Sequence, residues 1–171
     1  MRTALIGAAI AAALFGIAAC GANPTHNDAD IAFSQQMIPH HQQAVEMAEL
    51  VPDRTGNPAL VALAARVKAA QQPEIDRMTG WLQAWDAPAK SDHAGHDMPG
   101  MVDTAALEQV KDAEFDRQWL GSMIQHHRGA VEMAKTEVDK GLDEASKTLA
   151  RQVVTDQEAE IKTMADLLPQ G

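Results

Sequence analysis

The sequence predicts an all-α fold, a four-helix bundle built from two repeated helical hairpins. No stretch of its 171 residues alternates apolar and polar side chains as a half-buried strand does. Helix-starting and helix-ending residues instead bracket four long segments. A twelve-residue motif recurs after a shift of 86 residues. Because one hairpin cannot bury its apolar stripe alone, we expect the two repeats to pack together as one domain.

Composition excludes several classes of function. The chain has 24 acidic and 14 basic residues, a net charge of −10, which disfavours a nucleic-acid-binding protein. A single cysteine excludes a disulfide scaffold and any multi-cysteine zinc or iron–sulfur site. Nine methionines and seven histidines remain, and they are either core residues or soft-metal ligands.

Residues 1–19 predict a secretory signal peptide. Arg2 is followed by an uncharged run that is shorter than the roughly twenty residues of a membrane span. The run ends in Ile17-Ala18-Ala19-Cys20, which resembles a bacterial lipobox, so Cys20 is the predicted lipidation site and residues 20–27 a lipidated tether. The alternative is an ordinary signal with a coincidental cysteine. Either reading predicts a protein outside the cytoplasmic membrane, and the lipobox adds an N-terminal lipid anchor.

The first predicted hairpin spans residues 28–86. Asp28 or Asp30 is the expected cap of a helix that runs from Ile31 to about Val51. A turn follows, and Asn57-Pro58 is a helix-start signal for a second helix that ends near residue 86. Pro73 lies inside this helix and is expected to kink it.

The second predicted hairpin spans residues 104–171, after a linker at 87–103 that is rich in His and Met. Asp103 is the expected cap of a short helix, and a long helix covers about 113–139. Gly141 ends it, and a fourth helix covers about 143–168. Residues 28–171 are therefore expected to form a single domain.

The repeated motif reads M-I-x-H-H-x-x-A-V-E-M-A and starts at Met37 and Met123, with nine of twelve positions identical. The same shift relates Glu74 and Met78 in the second helix to Glu160 and Met164 in the fourth. In an up-down-up-down bundle the first and third helices run parallel, so the two His pairs are expected at similar heights. The predicted metal ligands are Met37, His40, His41, Met47, Met123, His126, His127 and Met133.

A structural reading of the same residues stays open. A Met on an apolar helical face usually fills the core, and this is the reading we adopt for Met78 and Met164. Glu46 and Glu132 point away from the His-bearing face and are expected at the surface. Glu74 and Glu160 could reach the site, but the sequence does not fix the register of the bundle.

The linker offers a second set of candidate ligands, because residues among Gly and Pro cannot contribute to a core. Its candidates are His93, His96, Met98 and Met101. They could wrap a copper ion, or they could belong to a low-complexity linker that happens to contain histidine.

The extended motif F-x-x-x-M-I-x-H-H-x-x-A-V-E-M-A resembles the domain-of-unknown-function 305 family. It begins at Phe33, and Trp119 takes the equivalent place in the second copy, while Pro39 replaces the second copy's Gln125. The resemblance extends over about residues 28–168. It implies a ferritin-like four-helix bundle, exported or lipid-anchored, in a family with some copper-binding members associated with copper tolerance. The family's Met and His positions fall on the eight predicted ligands.

These observations predict a lipid-anchored, extracytoplasmic copper-binding protein that sequesters or delivers a copper ion, with Cu(I) favoured and a copper-handling protein as partner. We do not expect an enzyme, since no nucleophile set or phosphate loop stands out. No Glu is followed three residues later by His, as a di-iron site would require. The alternatives are a non-catalytic scaffold or partner-binding module, whose His and Met residues are structural, and a metal-dependent enzyme.

Overall fold

The computed structural model describes residues 24–89 and 98–168. The predicted signal peptide, Cys20, His93 and His96 therefore lie outside the described residues. Within them the chain forms four α-helices and two short 3₁₀ turns, which confirms the all-α four-helix prediction. The helices are α1 (Asp28–Leu50), α2 (Pro58–Ala84), α3 (Asp112–Lys140) and α4 (Glu144–Leu167).

The helix ends follow local side-chain chemistry. The Asn57 side chain caps α2, as predicted, and the Asp143 side chain caps α4 by accepting the Ser146 N–H at 2.7 Å. The prediction that Asp28 or Asp30 caps α1 is wrong. Asn27 is the cap, and the Asp30 carboxylate accepts the backbone N–H of Asn27 at 2.7 Å in a reciprocal capping box.

Helices α1 and α3 run antiparallel, so the expected parallel orientation is wrong. The Asn27 side chain at the start of α1 donates to the Lys140 carbonyl at the end of α3, at 2.9 Å. Near the other end, Trp119 Nε1 donates to the Met47 carbonyl at 2.8 Å. The pseudo-twofold axis between the repeats therefore runs across these helices. The His pairs remain level because both lie near the helix middles, where the axis passes.

Equivalent contacts join the hairpins at both ends of this antiparallel pair. The Asp30 carboxylate accepts the backbone N–H groups of Leu142 and Asp143 at 3.1 and 3.0 Å. At the opposite end Asp116, the repeat equivalent of Asp30, accepts the Asn57 side-chain amide at 2.8 Å. Each hairpin thus holds the residues that lead into the second helix of the other hairpin, α4 in one case and α2 in the other.

The core consists of two apolar clusters with the His motifs between them. One cluster contains Met47, Trp119, Met123 and Met164, and the other contains Phe33, Met37, Met78 and Met133. Met78 and Met164 are fully buried, which confirms their predicted place in the core. Within residues 24–89 and 98–168, none of the helices combines the length and hydrophobicity that a membrane crossing requires.

Candidate metal centre

Four imidazoles from the two repeats lie together in one layer at the centre of the bundle. His40, His41 and His127 have no solvent exposure and His126 has 1%. The rings of His40 and His126 approach with centroids 3.7 Å apart and an interplanar angle of 34°. The His126 and His127 centroids are 6.3 Å apart. The structure therefore brings the repeated His–His pairs into a single region, which we call the His layer.

His41 and His127, the outer histidines of the layer, each contact a glutamate on α2 or α4, the outer helices. His41 Nε2 lies 2.7 Å from Glu74 Oε2 on α2, and His127 Nε2 lies 2.7 Å from Glu160 Oε2 on α4. The two pairs are related by the same 86-residue shift as the motifs. The register that the sequence left open thus places both glutamates against the His layer.

Residues 98–102, which we call the strap, cover the junction of α1 and α3. His40 Nε2 donates to the Pro99 carbonyl at 3.1 Å, and the Gln43 side chain bonds both the N–H and the C=O of the last strap residue. A Cβ on Gly129 would overlap the Pro99 carbonyl oxygen and would lie 2.6 Å from the Gly100 Cα. Only glycine at position 129 therefore permits this approach of strap to helix.

Burial keeps His40 and His126, the inner histidines of the layer, neutral. Burial is the main cause that lowers the pKa of His40 to about 3, and the electrostatic effect of His41 is the second. Burial and the neighbouring imidazoles likewise hold the pKa of His126 well below its usual value. Five ring nitrogens of the layer are buried without a hydrogen-bond partner among the described residues: Nδ1 of His40, His41 and His127, and both nitrogens of His126. Neutral imidazoles with free lone pairs can bind metal ions.

The predicted methionine ligands flank the layer on both sides. Met37 and Met133 belong to one apolar cluster, and Met47 and Met123 to the other. All four are buried, with Met133 the most exposed at 7%. Met98 and Met101 are half-buried in the strap. The structure thus buries the four motif methionines on the two sides of the His layer and places two linker methionines in the strap.

No group of three or more His, Cys, Asp or Glu side chains in the described ranges already surrounds a point suitable for a metal ion. The closely packed, tilted rings of His40 and His126 occupy the centre of the layer. Metal binding would therefore require these rings to separate or rotate, after which the unpartnered nitrogens fit a soft ion.

A buried carboxyl pair lies outside the predicted site. Asp30 has no exposure and Glu137 has 1%. Burial raises the pKa of Glu137 to about 8, and the nearby carboxylates of Asp30 and Asp143 reinforce this shift. Burial also acts to raise the pKa of Asp30, but the adjacent Glu137 side chain and the backbone N–H groups of Asn27, Leu142 and Asp143 outweigh it and lower that pKa. The proton of the pair therefore resides on Glu137.

Sequence reasoning missed this pair, although a signal for it exists. The 86-residue shift places Glu137 opposite Val51, which is fully buried in the first repeat. A glutamate at the position of a core valine is a departure from the repeat. The exposed Glu46 and Glu132, by contrast, lie at the surface as predicted.

Comparisons with known proteins agree with this architecture. The family model described as domain of unknown function (DUF305) matches residues 30–168. A DUF305 protein from Streptomyces coelicolor is 37% identical with a TM-score of 0.76, over 84% of this chain and 96% of that chain. A DUF305 fragment from Deinococcus radiodurans is 30% identical with a TM-score of 0.76, over 84% of this chain and 97% of that chain.

A third similar structure is CopM in its Cu(II)-bound form, which is 33% identical with a TM-score of 0.72, over 80% of this chain and 93% of that chain. CopM has also been solved in Cu(I)-bound and Ag-bound forms. No curated protein matches the chain. The family model extends over most of the sequence, and the solved relatives are covered almost completely. The chain therefore belongs to the DUF305 family.

Proposed function

We propose that this protein binds a copper ion, with Cu(I) favoured, for sequestration, tolerance or delivery and without catalytic turnover. The observation that carries the proposal is the His layer, with five buried ring nitrogens that have no partner within the described part of the chain. A buried nitrogen acceptor without a partner is unfavourable by about 1–3 kcal/mol, and a metal ion would supply the missing interaction. The Cu(I), Cu(II) and Ag forms of CopM support the same chemistry.

The donor set supports Cu(I) over harder ions. The inner imidazoles are neutral because their pKa values lie far below 6.5. Thioethers from Met37, Met47, Met123 and Met133 lie on either side of the layer. Neutral nitrogen and thioether sulfur suit a soft monovalent ion, whereas Mg²⁺ and Ca²⁺ prefer oxygen ligands.

A route to the layer runs along the junction of α1 and α3. A groove of about 200 Å³ lies beside the strap, and its lining includes Pro99 and Met133. Met133 is thus the motif methionine closest to solvent, with 7% exposure. Movement of the strap would open the path from this groove to His40, whose Nε2 is bonded to the Pro99 carbonyl.

The proposal places the protein outside the cytoplasmic membrane, tethered by a lipid on Cys20. The sequence of residues 1–20 supports it, and the Streptomyces coelicolor relative carries a provisional description as a secreted protein. With its cysteine lipidated, the working domain has only His and Met as soft ligands. Such a tethered domain would exchange copper with a copper-handling protein at the same membrane.

The test is a Cu(I) competition titration of the purified protein against a chromogenic chelator. We expect tight binding by the wild type and a loss of roughly 10-fold or more in affinity for each of His40→Ala and His126→Ala. His26→Ala is the matched control, because His26 stacks on Trp85 at a centroid distance of 4.8 Å, away from the layer. Circular dichroism reports whether each variant stays folded.

The combined change of His40, His41, His126 and His127 to Ala decides between the candidate functions. Unchanged copper stoichiometry and affinity in that variant would refute binding at the layer. Absence of copper binding by the wild type would instead favour the scaffold interpretation. His93→Ala with His96→Ala tests the linker separately, and a lower stoichiometry there would indicate an additional ion in the loop.

A further inference from the structure

Glu74 and Glu160 make equivalent contacts with the outer histidines of the layer. Each carboxylate oxygen lies 2.7 Å from the Nε2 of a fully buried imidazole. The glutamate side chains are 16% and 23% exposed, so each carboxylate lies between solvent and the core. Since the contact occurs in both repeats, it is a property of the motif geometry rather than a feature of one helix end.

This contact fixes which ring nitrogen carries the proton. A carboxylate accepts a hydrogen bond, so Nε2 of His41 and of His127 must bear the hydrogen. In the neutral form of each ring, the lone pair is then on Nδ1. Both Nδ1 atoms are buried and have no hydrogen-bond partner within residues 24–89 and 98–168. The lone pairs are therefore held inside the protein, where no described donor meets them.

The inner histidines lack such carboxylates. His40 Nε2 donates to the Pro99 carbonyl, which likewise leaves its Nδ1 free, and neither nitrogen of His126 has a partner among the described atoms. Three of the four imidazoles thus have Nδ1 available, and two of these are fixed by glutamate.

We infer that Glu74 and Glu160 are positioning residues of the copper site, and that copper is bound through Nδ1 of His41 and His127. The inference rests on the proposed function. A carboxylate on the far nitrogen orients a metal-binding histidine and makes it more basic, and removal of such a partner commonly weakens metal binding 10- to 100-fold.

The test is ¹⁵N NMR of the imidazoles in the purified protein, first without metal and then with silver nitrate as a diamagnetic substitute for Cu(I). Without metal, we expect His41 and His127 in the Nε2–H tautomer. With silver, their Nδ1 resonances shift while the Nε2–H protons remain. Loss of the Nε2–H signals, or a metal-induced shift at Nε2 alone, would overturn the inference while leaving metal binding by the protein intact.

Variants test the positioning role independently. In Glu74→Gln with Glu160→Gln, we expect both tautomers at His41 and His127, because an amide can donate as well as accept. Cu(I) affinity should fall about 10- to 100-fold. Glu46→Gln with Glu132→Gln is the matched control at exposed positions of both motifs. Equal affinities for the two double variants would refute the positioning role, and a wild type that binds neither Ag(I) nor Cu(I) would refute the proposed function and this inference together.

Discussion

Replacement of Glu137 with glutamine tests the buried carboxyl pair at the end of α3. The pKa of Glu137 in the folded protein is about 8, against an ordinary value of 4.5. The folded state therefore keeps a proton that the unfolded chain releases between these two values. Its stabilising contribution is complete below pH 4.5 and is lost as the pH rises through about 8. Glutamine stays neutral throughout this range.

The size of the effect follows from the pKa shift. Each unit of pH between the two pKa values changes the free energy of unfolding by about 1.4 kcal/mol. The free energy of unfolding of the Glu137→Gln protein should therefore increase relative to that of the wild type as the pH rises. The accumulated difference is roughly 5 kcal/mol by about pH 9, where it levels off. The groups that face Glu137 are Asp30 on α1 and Asp143 at the start of α4, and both carry the same charge.

The assay is urea unfolding followed by circular dichroism, at steps from about pH 5 to about pH 9. The other ionisable groups are common to both proteins, so their contributions cancel from the difference in unfolding free energy. Glu132→Gln, an exposed change on the same helix, is the matched control. A Glu137→Gln difference that is equal at both ends of the pH range would refute a proton held by this pair.

Three further predictions concern the His layer and its cover. The pKa of His40 is lowered to about 3 in the folded protein. The stability that its neutral ring contributes above pH 6.5 should therefore be lost as the pH falls towards 3, by up to roughly 5 kcal/mol. An acid titration followed by circular dichroism measures this loss. Gly129→Ala should destabilise by about 1–3 kcal/mol, measured by urea unfolding, because its Cβ would overlap the Pro99 carbonyl. At Gly121 a Cβ would meet no described atom within 4 Å, so Gly121→Ala should instead stabilise by up to about 1 kcal/mol; similar results for the two changes would contradict the strap contact. Trp119→Phe leaves the Met47 carbonyl of α1 without its hydrogen bond, which should cost about 1–3 kcal/mol of stability and lower the thermal midpoint. An unchanged midpoint would show that this hydrogen bond contributes little.

Helix positions were predictable because their signals are local. Asn57, Asp143 and Gly141 mark boundaries that the structure reproduces within a few residues. The orientation of α3 relative to α1 was not predictable in this way. It depends on how the two hairpins pack, and the linker between them permits either direction. The repeat itself is compatible with a parallel or an antiparallel pair, so its symmetry axis had to come from the structure.

The candidate site was predictable only where a side chain carries the signal. The doubled motif identified His40, His41, His126 and His127, and the structure gathers them in one layer. The glutamate contacts required the register of the outer helices. The contact from Pro99 uses a backbone carbonyl, which every residue possesses, so no sequence pattern could distinguish it. Local chemistry is thus visible in the sequence, whereas contacts between distant backbone segments are not.

The perpendicular pseudo-twofold axis has a consequence for how such a site could arise. Each hairpin supplies half of the His layer, and the axis passes close to the contact between His40 and His126. A chain that contained only one hairpin could build the same layer by forming a symmetric dimer, in which an imidazole packs against its own copy across an exact twofold. Fusion of two such hairpins through a linker would convert a concentration-dependent site into an intramolecular one, and would free each half to diverge, as the exchange of Val51 for Glu137 illustrates.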